Sequence, residues 1–187
     1  MFIQCEETPN PETLKFIPDG QIVAGDRICE FLNQKQASNI SPLAMQLFTI
    51  DGIKSLFFGR DFITITKKKD YDWEYIKSHI NANILDFYIS GKEIFFHKID
   101  NNEQSSEEDS DIIKQIKELI EIKVRPAVAM DGGDITFHSF DDGIVRLQLK
   151  GACQGCPSSS ITLKNGIENM LKHYIPEVEA VEQILED

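Results

Sequence analysis

The chain has 187 residues and a mass of 21.3 kDa, with 41% hydrophobic and 27% charged residues, so it can bury a core and is neither fibrous nor globally disordered. Its length admits one domain or two small ones. Nineteen Lys and Arg against 31 Asp and Glu leave a formal charge of −12, which argues against a coat for phosphate backbones, and no stretch approaches 18 uninterrupted apolar residues; neither nucleic acid nor a membrane is an expected partner.

The first twenty residues carry no basic n-region, apolar h-region or Arg-rich, acid-poor character, so the protein is expected to stay in the compartment that makes it, the cytoplasm. Residues 13–17, 53–58 and 62–66 read as strands, the last two flanking Gly59-Arg60-Asp61 as a hairpin. Ser41-Pro42, followed by Leu43, Ala44, Leu47 and Phe48, gives an N-cap, a proline at the first helical position and one apolar stripe, ended by Gly52. A longer helix starts near Asp72, with Trp73, Ile76, Ile80, Ile84, Phe87 and Tyr88 on one side of a 3.6-residue period, and stops at Gly91. Lys67-Lys68-Lys69 reads as a solvated turn after a strand, and His79 and His97 carry no argument.

Composition then shifts. Residues 100–110 hold acidic and small polar groups with no large apolar side chain, the signature of a solvated tether. Residues 1–100 carry a net −3 and residues 101–187 a net −9, five of the latter in or beside the tether, so much of the acidity belongs to the connection rather than to a binding face. The fold class predicted is α/β (α+β): two small mixed α/β domains joined by an acidic flexible linker, with bounds 1–98, 99–110 and 111–187.

After the tether, Ile112, Ile113, Ile116, Leu119 and Ile120 mark an amphipathic helix, read as core packing and expected to end near Pro126. Asp131-Gly132-Gly133-Asp134 is a turn, to which Arg125 either lends its guanidinium or presents only a surface side chain. Ile135/Phe137 and Val145/Leu147/Leu149 alternate around Asp141-Asp142-Gly143 as a hairpin. Gly151-Ala152-Cys153-Gln154-Gly155-Cys156-Pro157 follows, then a helix with Leu163, Ile167, Met170, Leu171 and Tyr174 on one side, and a strand over 178–184. The CxxC is thereby set between a strand and a helix.

Four cysteines, Cys5, Cys29, Cys153 and Cys156, are expected as reduced thiols, and the close pair reads as metal-binding or redox chemistry. The thiolate is the ligand and nucleophile, yet a cysteine with a pKa of about 8.5 is mostly protonated at neutral pH. Pro157 suits a first helical position, which sets Cys156 at or beside an N-cap where unpaired N–H groups and the dipole favour negative charge. A tetrahedral zinc or a cubane cluster wants four donors, and this half offers two cysteines. His173 falls at the far end of the following helix, about 25 Å from its start, whereas His138 stays a possible zinc ligand. The economical arrangement is two chains, each giving Cys153 and Cys156, around one cluster. A thioredoxin-like dithiol is the competing reading, weakened by Gln-Gly between the cysteines and by a proline that follows the motif; a zinc-stabilised interaction module is the third.

The run from Gly151 through Ser159, continuing in Thr162-Leu163 and Gly166-Ile167-Glu168, with Arg125-Pro126 and Asp131-Gly132-Gly133-Asp134, resembles the C-terminal domain of NifU and the Nfu-type iron-sulfur carriers. Phe2-Ile3-Gln4, Glu6, Thr8-Pro9-Asn10-Pro11 and Leu14-Lys15-Phe16 resemble the N-terminal domain of mitochondrial and some bacterial Nfu proteins. The resemblance implies a non-enzymatic carrier that takes a 4Fe-4S cluster from an upstream assembly scaffold and holds it between two CxxC motifs as a homodimer. It implies delivery to apo 4Fe-4S enzymes of the lipoyl synthase or aconitase type, with the N-terminal domain helping to choose partners. It also opens the mitochondrial matrix as a location if a transit peptide has been removed. Cys5, where the family usually has a hydroxyl residue, and Cys29 are expected to be idle in cluster binding.

Overall fold

The computed structural model describes residues 1–96, 110–154 and 157–184. The tether expected at 99–110 lies, apart from Ser110, outside these residues, and so does Cys156. The chain divides into two compact units, Met1–Asn101 and Asn102–Asp187.

Unit 1 is an antiparallel five-stranded sheet in the order β1-β2-β5-β4-β3, from β1 (Ile3–Glu7), β2 (Thr13–Pro18), β3 (Cys29–Phe31), β4 (Ile53–Phe58) and β5 (Ile63–Lys67). The short helix α1 (Gln34–Ala37) precedes α2 (Pro42–Leu47), and α3 (Trp73–Ile89) follows the sheet. The β4–β5 hairpin and both longer helices stand where the pattern put them, while β3 and α1 are too short for periodicity to reveal and β1, IQCEE, has too few apolar residues to mark a strand. In α2 the buried Ser41 hydroxyl accepts from the Ala44 amide at 3.2 Å and donates to the Ile94 carbonyl at 2.6 Å, so the cap also fastens the segment after α3. Ile76, Ile80, Ile84 and Phe87 of α3 are buried in one core with Leu14, Phe16, Phe58 and Ile65 of the sheet. Lys67 departs from the solvated turn expected at 67–69: it belongs to β5, is buried, and bonds Glu12 Oε2 at 2.7 Å.

Unit 2 runs α4 (Asp111–Leu119), a π-helical turn (Ile120–Val124), α5 (Arg125–Met130), β6 (Gly133–Asp141), β7 (Ile144–Gly151), α6 (Pro157–Tyr174) and β8 (Ala180–Ile184). Its sheet is ordered β6-β7-β8, with β6 antiparallel and β8 parallel to β7. Ser110, read as the end of the tether, caps α4 by accepting from the Ile113 amide at 3.4 Å. In β7 Val145, Leu147, Leu149 and Gly151 alternate inward as patterned, and the turn into it uses positive φ at Asp142 (49°) and Gly143 (78°), the requirement of a tight hairpin.

The helical path does not end at Pro126 but runs through it to Met130. Buried Ile116, Ile120, Val124 and Val128 recur every fourth residue, and in a plain α-helix each such step turns the stripe about 40° away from the core. The wider π turn takes up that drift and restarts the ladder at Arg125. Pro126 then occupies the first turn of α5, where its missing N–H leaves no bond unmade. Tyr174 also departs from its expected face: it is half exposed, with Lys123 Nζ 5.2 Å from its ring, and Ile175 takes the buried position.

Candidate cluster-binding site

β7 leaves the sheet at Gly151, whose φ of 66° turns the chain sharply. The next amide, Ala152, donates to the Gly132 carbonyl at 3.2 Å, and Gln154 donates back to the Gly151 carbonyl at 3.1 Å, closing a tight loop around Cys153. Gly133 pairs with Gly151 across the β6–β7 ladder. A Cβ on Gly133 would stand 2.8 Å from Cys153 Sγ and 2.6 Å from the Lys150 carbonyl oxygen, so only glycine permits this approach. Cys153 is thus packed against the Asp131-to-Asp134 turn, 4% exposed, at the rim of the unit 2 core.

That turn is itself held. Arg125, at the start of α5, donates from Nε to Asp134 Oδ1 at 2.9 Å and from Nη1 to Glu121 Oε2 one turn back. Asp134 is buried, its side chain 6% exposed, and the guanidinium is the ion-pair partner found for it. Of the two roles open to Arg125 in the sequence, orienting the turn is the one realised. The π turn sets the register that brings Arg125 over Asp134. Sequence reading missed this link, because a π turn leaves no signal beyond the four-residue spacing of the apolar stripe.

α6 begins at Pro157, and Cys156 is the residue before it in the chain, outside the described residues. The first helical turn therefore follows the CxxC directly, with its unpaired N–H groups and positive dipole end at the motif. The other candidate ligands stand apart. His138 is exposed at the bulge of β6, five residues along an extended strand from Gly133, roughly 16 Å. His173 meets Tyr174 edge-to-face at the far end of α6. Cys5 and Cys29 belong to unit 1, on opposite edge strands separated by three others, about 19 Å. Burial pushes the Cys5 thiol up, with the Lys77 ammonium partly opposing it. Among the described residues no group of three or more His, Cys, Asp or Glu is placed to hold a metal ion, and no helix is long and apolar enough to cross a membrane.

Residues 3–91 match the family model described as Scaffold protein Nfu/NifU N terminal, and residues 116–182 match the NifU-like domain. A human relative, NFU1 iron-sulfur cluster scaffold homolog, mitochondrial, is 52% identical over the whole of this chain and 73% of its own length. The chain belongs to the Nfu family of scaffold proteins. Another Nfu protein of the same description, from Drosophila willistoni, is 47% identical over the whole chain and 65% of its own length, so the chain spans 65% to 73% of these two relatives. A solution structure of a NifU-like protein from Saccharomyces cerevisiae aligns at 27% identity and a TM-score of 0.46, covering 52% of this chain and 87% of that one. The Nfu family is one of scaffolds, not of enzymes; this chain matches both of its domain models, and each matched stretch lies in a unit of mixed helices and strands.

Proposed function

We propose that this protein carries a 4Fe-4S cluster between two copies of itself, Cys153 and Cys156 of each copy supplying the four thiolates, and hands the cluster to apo-proteins. Membership of a scaffold family whose relatives are named for iron-sulfur clusters supports assembly or transfer of such clusters. The observation that carries the finer reading is a count joined to a position. Residues 111–187 contain two cysteines, one at the β7-to-α6 turn and the other immediately before the first residue of α6. Four-ligand coordination therefore calls for a second chain. A cluster shared across a contact is released when the copies part or when other thiols exchange in, which suits delivery better than fixed electron transfer.

The donor is an upstream assembly scaffold and the recipients are apo 4Fe-4S enzymes of the lipoyl synthase or aconitase type. The described relatives are mitochondrial proteins, which favours the matrix, and nothing in the comparisons supports the cytoplasmic alternative. The tripartite division into 1–98, 99–110 and 111–187 gives unit 2 the cluster and leaves unit 1 to choose partners.

Anaerobic reconstitution with ferrous iron and sulfide tests the reading. The expected product absorbs broadly near 400 nm and holds roughly four irons and four sulfides per dimer. Cys153→Ser or Cys156→Ser abolishes both the absorbance and cluster-induced dimerisation, while Cys5→Ser and Cys29→Ser leave both intact. Redox cycling of a Cys153–Cys156 disulfide with no iron bound, or stoichiometric zinc in the native protein, overturns it.

A further inference from the structure

β1 is an edge strand, and its register decides what its outer side offers. The Phe2 carbonyl accepts from the Asp19 amide at 2.9 Å, in the same register that sets Gln4 opposite Ile17 and Glu6 opposite Lys15. These are the pairs that exchange hydrogen bonds, so the alternate residues Ile3, Cys5 and Glu7 turn their N–H and C=O outward. Pro18, with no N–H to give, stands opposite Ile3 at a position that needs none. Three alternate residues with outward N–H and C=O groups make a template for one more strand.

Beside this edge, between β1 and α3, lies an open groove of about 560 Å³. Leu14 and the half-buried Trp73 give it apolar surface, with the Trp73 indole N–H directed instead to the Pro11 carbonyl at 3.1 Å. Two carboxylates, Glu7 and Glu74, line it with Lys77, Ser78 and Asn81, and the Asn81 Oδ1 is buried at its wall without a hydrogen-bond partner. The lining holds one cation, Lys77, against the two carboxylates. An unpaired buried acceptor costs free energy until a donor reaches it. Acceptors above an apolar floor suit a long aliphatic stem ending in a cation.

We propose that unit 1 binds an extended basic segment of a partner protein, which adds to β1 as a sixth strand and places a Lys or Arg side chain in the groove beside α3. Charge selects this occupant over the two alternatives. Residues 100–110 of the same chain carry five carboxylates and no cation, and would meet like charge at Glu7 and Glu74. A second copy would bring a β1 (IQCEE) with two carboxylates and no cation to an edge and groove already lined by Glu7 and Glu74, so it offers no complementary charge. The inference does not depend on cluster binding.

The test titrates the ¹⁵N-labelled full chain with an acetylated, amidated heptapeptide Thr-Val-Arg-Val-Lys-Val-Thr and follows amide hydrogen exchange. Saturating peptide is expected to slow exchange at Ile3, Cys5 and Glu7 by at least about tenfold and to shift the Asn81 side-chain signal. A peptide with Glu in place of Arg and Lys, or one N-methylated at alternate residues, should not bind. Glu7→Lys should weaken binding about tenfold, and Asn81→Leu, which removes the acceptor without altering charge, should weaken it independently. No binding at millimolar peptide, shifts confined to other surfaces, or equal binding of the Glu peptide would overturn the proposal. So would protection of these amides in the peptide-free protein, which would mean a second copy holds the edge if it rises with concentration and the same chain if it does not.

Discussion

At Gly133 a single hydrogen separates a working turn from a collision. Gly133→Ala forces the new methyl into the Lys150 carbonyl and Cys153 Sγ, so one of them must move. The expected result is a loss of about 1–3 kcal/mol in urea unfolding together with faster reaction of Cys153 with a thiol reagent in a Cys5→Ser, Cys29→Ser, Cys156→Ser background. Asp134→Ala removes the carboxylate that Arg125 grips, and truncating one partner of a largely buried charge-assisted bond costs about 1–3 kcal/mol. Unfolding free energies of Asp134→Ala, Arg125→Leu and the double variant should be non-additive, because either single change breaks the same bond; strict additivity would show that the pair does not act as a unit. Sequence reading carried these residues some distance. The two cysteines, the glycine pair and Arg125 stood out as a group, and so did the β6–β7 hairpin, but the contact between Cys153 and Gly133 depends on a register that a bulge between Phe137 and Ser139 shifts by one residue, which the apolar pattern does not reveal.

Elements here are joined by few polar ties, and one of them titrates. Glu168 on α6 accepts from the Val181 amide of β8 at 3.0 Å and from Lys172 at 2.6 Å, and the Lys172 bond, then the Val181 amide, hold its carboxyl below the usual carboxylate range. A carboxylate whose pKa is lower folded than unfolded stabilises above its unfolded value, and that contribution is lost as pH falls through the folded one. Glu168→Gln should therefore be less stable than the parent at pH 7, and the difference should shrink as the pH is lowered through and below the ordinary carboxylate range. A difference in melting temperature that stays constant from pH 7 down to pH 3 would contradict this. Most elements were legible because period and caps agreed, as at Ser41-Pro42 and along α3. The exception is instructive: Pro126 reads as a stop only when the helix before it keeps a 3.6-residue period, and the π turn at Ile120–Val124 breaks that assumption.

For the molecule as a whole, each unit closes its own core, one built on a five-stranded sheet and the other on three strands and a helical path. The proposed division of labour predicts that residues 111–187, expressed alone, fold and take up the cluster, while residues 1–98 fold and do not; circular dichroism and iron content of the two fragments check this. Composition exposed the two halves and the acidic change between them, since apolar periodicity stops where charge accumulates. The proposal that unit 2 holds the chemistry rests on sequence as well, because only this half has cysteines close in sequence. The dimer proposed to complete the site cannot be read from one chain's contacts, and ligand count alone calls for it. Anaerobic native mass spectrometry of the reconstituted protein measures it directly: the account predicts two chains with one 4Fe-4S unit, and a single chain retaining a full cluster, or a two-chain species without iron, would contradict it.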